Sequence, residues 1–180
     1  MNPSRNLGPC VVIWDPIRPG RPAGVAKNVT FDKTNGGVFF RYEELQAPIK
    51  RDQAGLTDVS DVTTGAINPE VELPLSEEEV AVLDVVLANS VVGTNSLRVK
   101  NPVGVDVFPL AQQLIVKPID NGVISPNEDE WLYIHRAFPR VTMEWAYDNA
   151  GQRGVKTIFK GYPDDISNRQ NEMWRQGPKE

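Results

Sequence analysis

The sequence predicts a mainly β fold: an antiparallel β-sandwich or barrel with one flanking helix over about residues 77–88 and extended loops and arms. Three observations predict it. Glycine and proline together make 29 of 180 residues, a density of chain breakers that suits many short strands better than long helices. Short runs alternate apolar and polar residues, the period of a half-buried strand. Only one stretch carries helical spacing. With 40% hydrophobic and 24% charged residues, the chain has the composition of one folded domain, assigned to residues 9–165, with an N-terminal arm at 1–8 and a C-terminal tail at 166–180.

In chain order, Val11–Trp14 is a short apolar run closed by Asp15-Pro16 and reads as a buried strand. Residues 16–24 are rich in proline and glycine and carry Arg18 and Arg21 on a loop. Val25–Phe31 has β character, and Asn35-Gly36-Gly37 predicts a tight turn that makes it a hairpin with residues 38–45. Residues 46–66 are polar with weak alternation, a long loop or a projecting hairpin; a span of that length in a compact domain is commonly functional. From Ile67 the alternation puts Val71, Leu73 and Leu75 on one face and Glu70 and Glu72 on the other, while Pro69 and Pro74 argue for a sheet edge.

The helix starts at Ser76, whose capping box with Glu79 and early acids Glu77 and Glu78 favour the positive end of the helix dipole. Val80, Leu83, Val86 and Leu87 follow at helical spacing. Residues 97–100 and 113–119 are strand candidates, and Asp120-Asn121-Gly122 is a turn before the acidic loop 125–130. Residues 131–137 and 141–147 read as two strands joined at Phe138-Pro139, and 155–162 as a strand with Val155, Thr157 and Phe159 facing one way. Beyond Pro163 only Met173 and Trp174 interrupt a polar run. Trp174 there is expected either to dock on a neighbour or to fold back on its own domain, whereas Trp14, Trp131 and Trp145 belong to strand-like runs and read as core.

Charge is uneven. Residues 1–60 carry +2, residues 61–130 carry −9 and residues 131–180 carry +2, which suits either copies docking on each other or a solvated surface. Basic residues are not clustered among aromatics, so sequence-specific nucleic-acid readout is not expected. The single Cys10 and single His135 exclude an internal disulfide and a Cys/His zinc site. The first residues contain no apolar stretch of signal-peptide length, and no later run reaches the roughly 18 apolar residues of a membrane span. The expectation is a protein assembled in the cytoplasm without contact to membrane.

No nucleophile elbow, phosphate loop, zinc-protease helix or dinucleotide fingerprint is present. His135 within a strand reads as a packed residue before it reads as a general base, and Cys10 beside Val11 and Val12 as a small buried hydrophobe. Asp164 with Asp165, or pairs among Glu128, Asp129 and Glu130, are the carboxylates available for acid/base work, but adjacent acids in loops are usually solvated. The chain is therefore read as no enzyme, with no catalytic, metal or cofactor-binding residues and no cofactor.

Three stretches together resemble the major tail tube proteins of long-tailed bacteriophages: the opening NLGPCVV; IKRDQAGLTDVSDVTTG running into VELPLSEEEVAVL; and LIVKPID, WLYIHRAFP and GVKTIFKGYPD towards the C-terminus. The resemblance spans about residues 6–165 and lies in the order and spacing of short motifs. Residues 16–24 and 166–180 have no counterpart in it. It implies a β-sandwich subunit with a flanking helix that forms stacked rings, commonly hexameric, around a channel for genome passage into the host. It further implies residence in the virion tail after assembly in the host cytoplasm, and the partners would be other copies of the chain, a tape measure protein, a tail terminator and a distal tail protein.

On that resemblance, ring-to-ring contacts are expected from Arg5 in the N-terminal arm and from Lys50, Arg51, Asp52, Gln53, Leu56, Thr57, Val59 and Thr64. In-ring packing is expected from Val80, Leu83, Leu87 and Trp174. A channel for DNA should hold it only weakly and without sequence preference, so Glu70, Glu72, Asp106, Glu128, Asp129 and Glu130 are expected to face the lumen and repel phosphates. The alternatives are another β-rich virion component (tail terminator, neck or head-decoration protein), a type VI secretion tube-like protein, and a small hydrolase using paired carboxylates.

Overall fold

The computed structural model describes residues 4–6, 9–14, 29–31, 37–50, 58–75, 83, 86–87, 90–93, 96–104, 106–144, 154–164 and 171–178. Its strands are β1 (Ser4–Asn6), β2 (Cys10–Trp14), β3 (Val29–Phe31), β4 (Phe39–Lys50), β5 (Asp58–Leu75), β6 (Ser90–Gly93), β7 (Ser96–Val99), β8 (Gln112–Asp120), β9 (Val123–Ile124), β10 (Leu132–Glu144), β11 (Gly154–Tyr162) and β12 (Trp174–Gln176). The main sheet runs β1-β4-β5-β11-β10-β8-β2-β3, with β9 added to β8 and β12 to β10; β6 and β7 form a separate ribbon. The ladders between these strands are antiparallel. The fold is thus mainly antiparallel β as the sequence predicts, in a sheet that does not close as a barrel.

Directly opposed residues share a sheet face, and the buried set follows this rule. Val12 faces Phe31 and Val116, Trp14 faces Leu114, Ile134 faces Leu114, and Val71, Leu73 and Leu75 face Phe159, Thr157 and Val155. All are buried. Phe31 and Phe159 lie four strands apart along the sheet, about 19 Å at the usual strand spacing. Their rings are 5.7 Å apart, with Trp14 6.0 Å from Phe159. The sheet therefore curls over on itself, which lets a single layer enclose a core. Trp14 also donates its indole N–H to the Ala137 carbonyl oxygen at 3.0 Å.

The structure corrects four local expectations. Val29–Phe31 does not pair with β4 across Asn35-Gly36-Gly37; it pairs with β2, and β3 lies at the far end of the sheet from β4. Phe31 buries its ring against Phe159 there, a long-range gain that outweighs a local turn signal. Phe138-Pro139 is no junction, since β10 runs through it. The last β8 partner on that side is Gln112, opposite Ala137, so beyond it the missing Pro139 N–H faces no ladder.

Nor is β5 an edge, because it pairs with both β4 and β11. Its prolines sit where one ladder is absent. Pro74 lies beyond the first β4 partner, Phe39, and Pro69 lies in a bulge between Arg41–Glu70 and Glu43–Ile67. Beside it, the Asn68 side-chain amide donates to the Gly161 carbonyl oxygen at 2.8 Å, a donor where Pro69 has none. Finally, the segment after Pro163 is not all tail, since β12 joins β10 in register, Trp174 opposite Ile134.

Other expectations match in detail. Asn121 and Gly122 have φ of 50° and 81°, the conformation of the two-residue turn that closes β8 on β9. The flanking helix expected over about 77–88 is minor among the described residues: Leu83 and Val86 are helical and buried in the core, and Leu87 N donates to Leu83 O at 3.1 Å. Its capping box, Ser76 and Glu79, lies outside the described residues, as do Val80 and Trp145.

Cys10 is buried in this core, and burial pushes its thiol up to about 12 from an ordinary 9.0. A raised folded-state pKa means that the unfolded chain releases the proton first. The corresponding stability is present below about pH 9 and is lost as pH rises from there towards 12. Alkaline melting should therefore show a steeper fall of Tm between pH 9 and 11 for the native chain than for Cys10→Ala, and equal slopes would count against it.

Candidate interaction surface

The feature that stands out from the sheet is the hairpin of β4 and β5. β11 accompanies β5 only from Leu75 to Glu70, and β1 accompanies β4 only from Phe39 to Arg41. From Glu43–Ile67 to Lys50–Asp58 the two strands pair only with each other among the described residues. Seven residue steps on β4 carry this ribbon roughly 24 Å beyond the sheet. Of the two readings of residues 46–66, the structure has the hairpin.

The ribbon is bent by design of its backbone. Register shifts fall between Arg41 and Glu43, Leu45 and Gln46, and Ile49 and Lys50, and at each β5 spends one residue more than β4. Each extra residue adds twist and turns the following side chains to the other face. This explains the weak alternation of the sequence here, since the face changes faster than a period-2 pattern can register. Leu45 is 45% exposed at the second shift, next to Gly65, and Phe39 at the root is 39% exposed.

Among the described residues, β1 and β3, each three residues long, stand at opposite ends of the sheet. Short edge strands limit indiscriminate pairing while leaving donors and acceptors for a specific one.

The residues expected at ring-to-ring contacts divide accordingly. Lys50, Val59 and Thr64 lie on the ribbon and Arg5 on β1 opposite Phe40, whereas Arg51, Asp52, Gln53, Leu56 and Thr57 lie outside the described residues. Of the residues expected to pack between subunits, Leu83 is 4% exposed and lies in the core of the chain itself. Leu87 is half-buried against the same core. Trp174 folds back, its ring 5.1 Å from Phe40 and 5.6 Å from Tyr42, both edge to face.

The acids expected at a lumen do not gather in one patch. Glu70 and Glu72 lie on the outer face of β5, where Glu70 is opposite both Arg41 and Lys160, and Glu72 pairs with Lys156 at 2.6 Å. That face is mixed in sign, and the exposed pair contributes little stability. Asp106 lies in a loop, its carboxylate accepting from Phe108 N at 3.0 Å. Glu128, Asp129 and Glu130 form an exposed one-turn 3-10 helix capped by Asn127, with Ser125 donating to Glu130 at 2.9 Å. Counted along β10 from Trp131 to Phe138, which is opposite Lys160 and through it Glu70, this turn lies roughly 23 Å along the strand direction from Glu70.

Sequence reasoning did not anticipate the aromatic and cationic face beside this turn. The Lys117 ammonium sits 3.9 Å from the Trp131 ring centre and the Arg175 guanidinium 4.7 Å from that of Tyr133. Burial and the neighbouring Glu128 push the Tyr133 hydroxyl up, against the opposing pull of Arg175. Trp131 is thus half-buried at the surface, with its N–H held by the Ser125 carbonyl oxygen at 3.0 Å.

His135 is buried, with Nε2 3.0 Å from a Glu172 carboxylate oxygen, and adjacent Arg136 reaches Asp164 at 3.2 Å. Both carboxylates hold the chain that leads into β12, so the pair braces structure. Among the described residues no group of three or more His, Cys, Asp or Glu side chains is placed to hold a metal ion, and no helix is long and apolar enough to cross a membrane. No protein-family model matches the chain, and no curated protein sequence is significantly similar to it.

Proposed function

We propose that the chain is a structural subunit of a bacteriophage tail, polymerising as stacked rings into the tube through which the genome passes. The observation that carries this reading is the bulged β4–β5 ribbon, whose two strands beyond Glu43–Ile67 form ladders only with each other among the described residues. An isolated two-stranded ribbon is marginally stable in water, so a long one is best accounted for by a neighbour that orders it. The short terminal strands β1 and β3 add two further sites for strand-to-strand contact. The resemblance of motifs over residues 6–165 points the same way. Under this reading the exposed Glu128–Glu130 turn suits a wall that repels DNA better than Glu70 and Glu72, which are interleaved with lysines.

Negative-stain microscopy of the full chain at rising concentration tests it. Long filaments are expected. Single closed rings would favour a terminator, and monomers at every concentration would remove the proposal. Deleting Ala54–Asp61 is expected to leave a folded monomer, by circular dichroism and melting, that forms no filaments; normal tubes from this variant would overturn the role given to the ribbon.

A further inference from the structure

The C-terminal strand occupies a position that does more than extend the sheet. β11 ends at Tyr162, Asp164 bridges to Glu172, and β12 lies beside β10. β12 therefore stands where a longer β11 would have continued. It is there, past the Glu70–Lys160 pair, that the β11 ladder on β5 ends among the described residues and the ribbon begins. Trp174 fills the space beneath this root.

The contacts are specific. Phe40 and Tyr42 are alternate residues of β4, immediately before and across the first register shift, and the Trp174 ring meets both edge to face at 5.1 and 5.6 Å. Two edge-to-face contacts, one just before the bulge and one within it, fix its bend more tightly than backbone pairing alone, because a bulged ladder has fewer restraints on twist. Trp174 is in turn anchored. Its strand pairs with Leu132–Ile134, Gly177 N donates to Trp131 O at 3.0 Å, and Gln176 Nε2 donates to Asp129 O at 3.3 Å. On the other side, Asp164 N donates to Glu172 O at 3.0 Å, and the two carboxylates meet Arg136 and His135 of β10.

We infer that residues 171–177 form a brace that sets the angle at which the β4–β5 ribbon leaves the sheet, with Trp174 as the positioning residue. The brace fixes the ribbon within the isolated subunit. Its consequence for assembly rests on the tube reading: a ribbon held at one angle presents a preorganised contact to the next ring, and a loose one must be ordered during docking.

The test measures that angle directly. Spin labels at Gln46→Cys on the ribbon and Thr142→Cys on β10, both exposed, report the distance by pulsed electron resonance, and buried Cys10 stays unlabelled. In monomeric protein Trp174→Ala is expected to shift the distance and widen its distribution roughly twofold, and Trp174→Phe, which keeps an edge-to-face ring, to leave it as in the native chain. Tyr42→Ala removes the same contact from the ribbon side and decides the matter if Trp174→Ala does not fold. A native distribution in Trp174→Ala or Tyr42→Ala overturns the inference, as does equal widening in Trp174→Phe, which would mark general loosening. Filament formation is scored separately: native protein that never forms tubes removes the tube reading and leaves the distance result to stand.

Discussion

Phe159→Ala is expected to cost about 3–5 kcal/mol and to lower the melting temperature by roughly 6–20 °C. Phe159 is fully buried at the point where the curled sheet meets itself. Its ring touches Phe31 of β3 and Trp14 of β2 on one side and lies opposite Val71 of β5 on the other. Truncation removes the side chain's transfer free energy and leaves a cavity that two halves of the sheet cannot fill without uncurling. β3 has only three residues of pairing to hold it, so local loosening of residues 29–31 should accompany the loss. Hydrogen exchange that quickens in β3 before β10 would mark this route. A change in melting temperature of only a few degrees would show that Phe159 does not pin the fold.

The second large effect is expected at Gly161. Its backbone is not in the left-handed region, so the glycine is required by space alone. A Cβ there would lie 2.6 Å from Cγ of Pro69 and 2.8 Å from Cγ2 of Ile134. Neither neighbour yields easily, because the proline ring is stiff within a bulge and Ile134 is fully buried. Gly161→Ala is expected to destabilise by about 1–3 kcal/mol, the usual scale for overpacking. Since much of the clash is with one ring, Pro69→Ala should recover part of it, with a coupling of about 0.5–3 kcal/mol in the double variant. Strict additivity of the two changes, read from denaturant melts, would refute the contact.

The sequence carried the strands whose partners impose simple alternation. Val155, Thr157 and Phe159 share one face and Asn121-Gly122 forms a turn, and both are legible because those signals are complete within a few residues. Pairing was less legible. Asn35-Gly36-Gly37 argues for a hairpin locally, but the partner of β3 lies on the other side of residues 15–28, and no local pattern encodes Phe31 meeting Phe159. The prolines misled for a related reason: Pro69, Pro74 and Pro139 are each tolerated because a neighbouring ladder stops or bulges there, which depends on strands elsewhere in the chain.

The candidate interaction surface is half legible. Residues 46–66 announced themselves as unusual by their length and polarity, and hairpin was one of the two readings, but three bulges erased the alternation that would have decided for it. The C-terminal strand was not legible at all. Met173 and Trp174 are too short a run to show a period, and the anchoring of β12 through Glu172 and Asp164 depends on His135 and Arg136 nearly thirty residues or more away.

The order of strands in the sheet also bears on how the chain folds as it is synthesised. The ribbon strands β4 and β5 are close in sequence and can pair as soon as both have emerged. Strand β2 cannot find its central partner in the same way, because Trp14 is opposite Leu114 and bonds to Ala137, 123 residues further on. Until β8 and β10 have left the ribosome, Val11–Trp14 remains an apolar strand with no core to enter, which makes it the segment most exposed to misassociation during synthesis. Closure of the core is thereby tied to β8 and β10, and an incomplete chain is expected to be a substrate for chaperones and proteases while its ribbon is already paired.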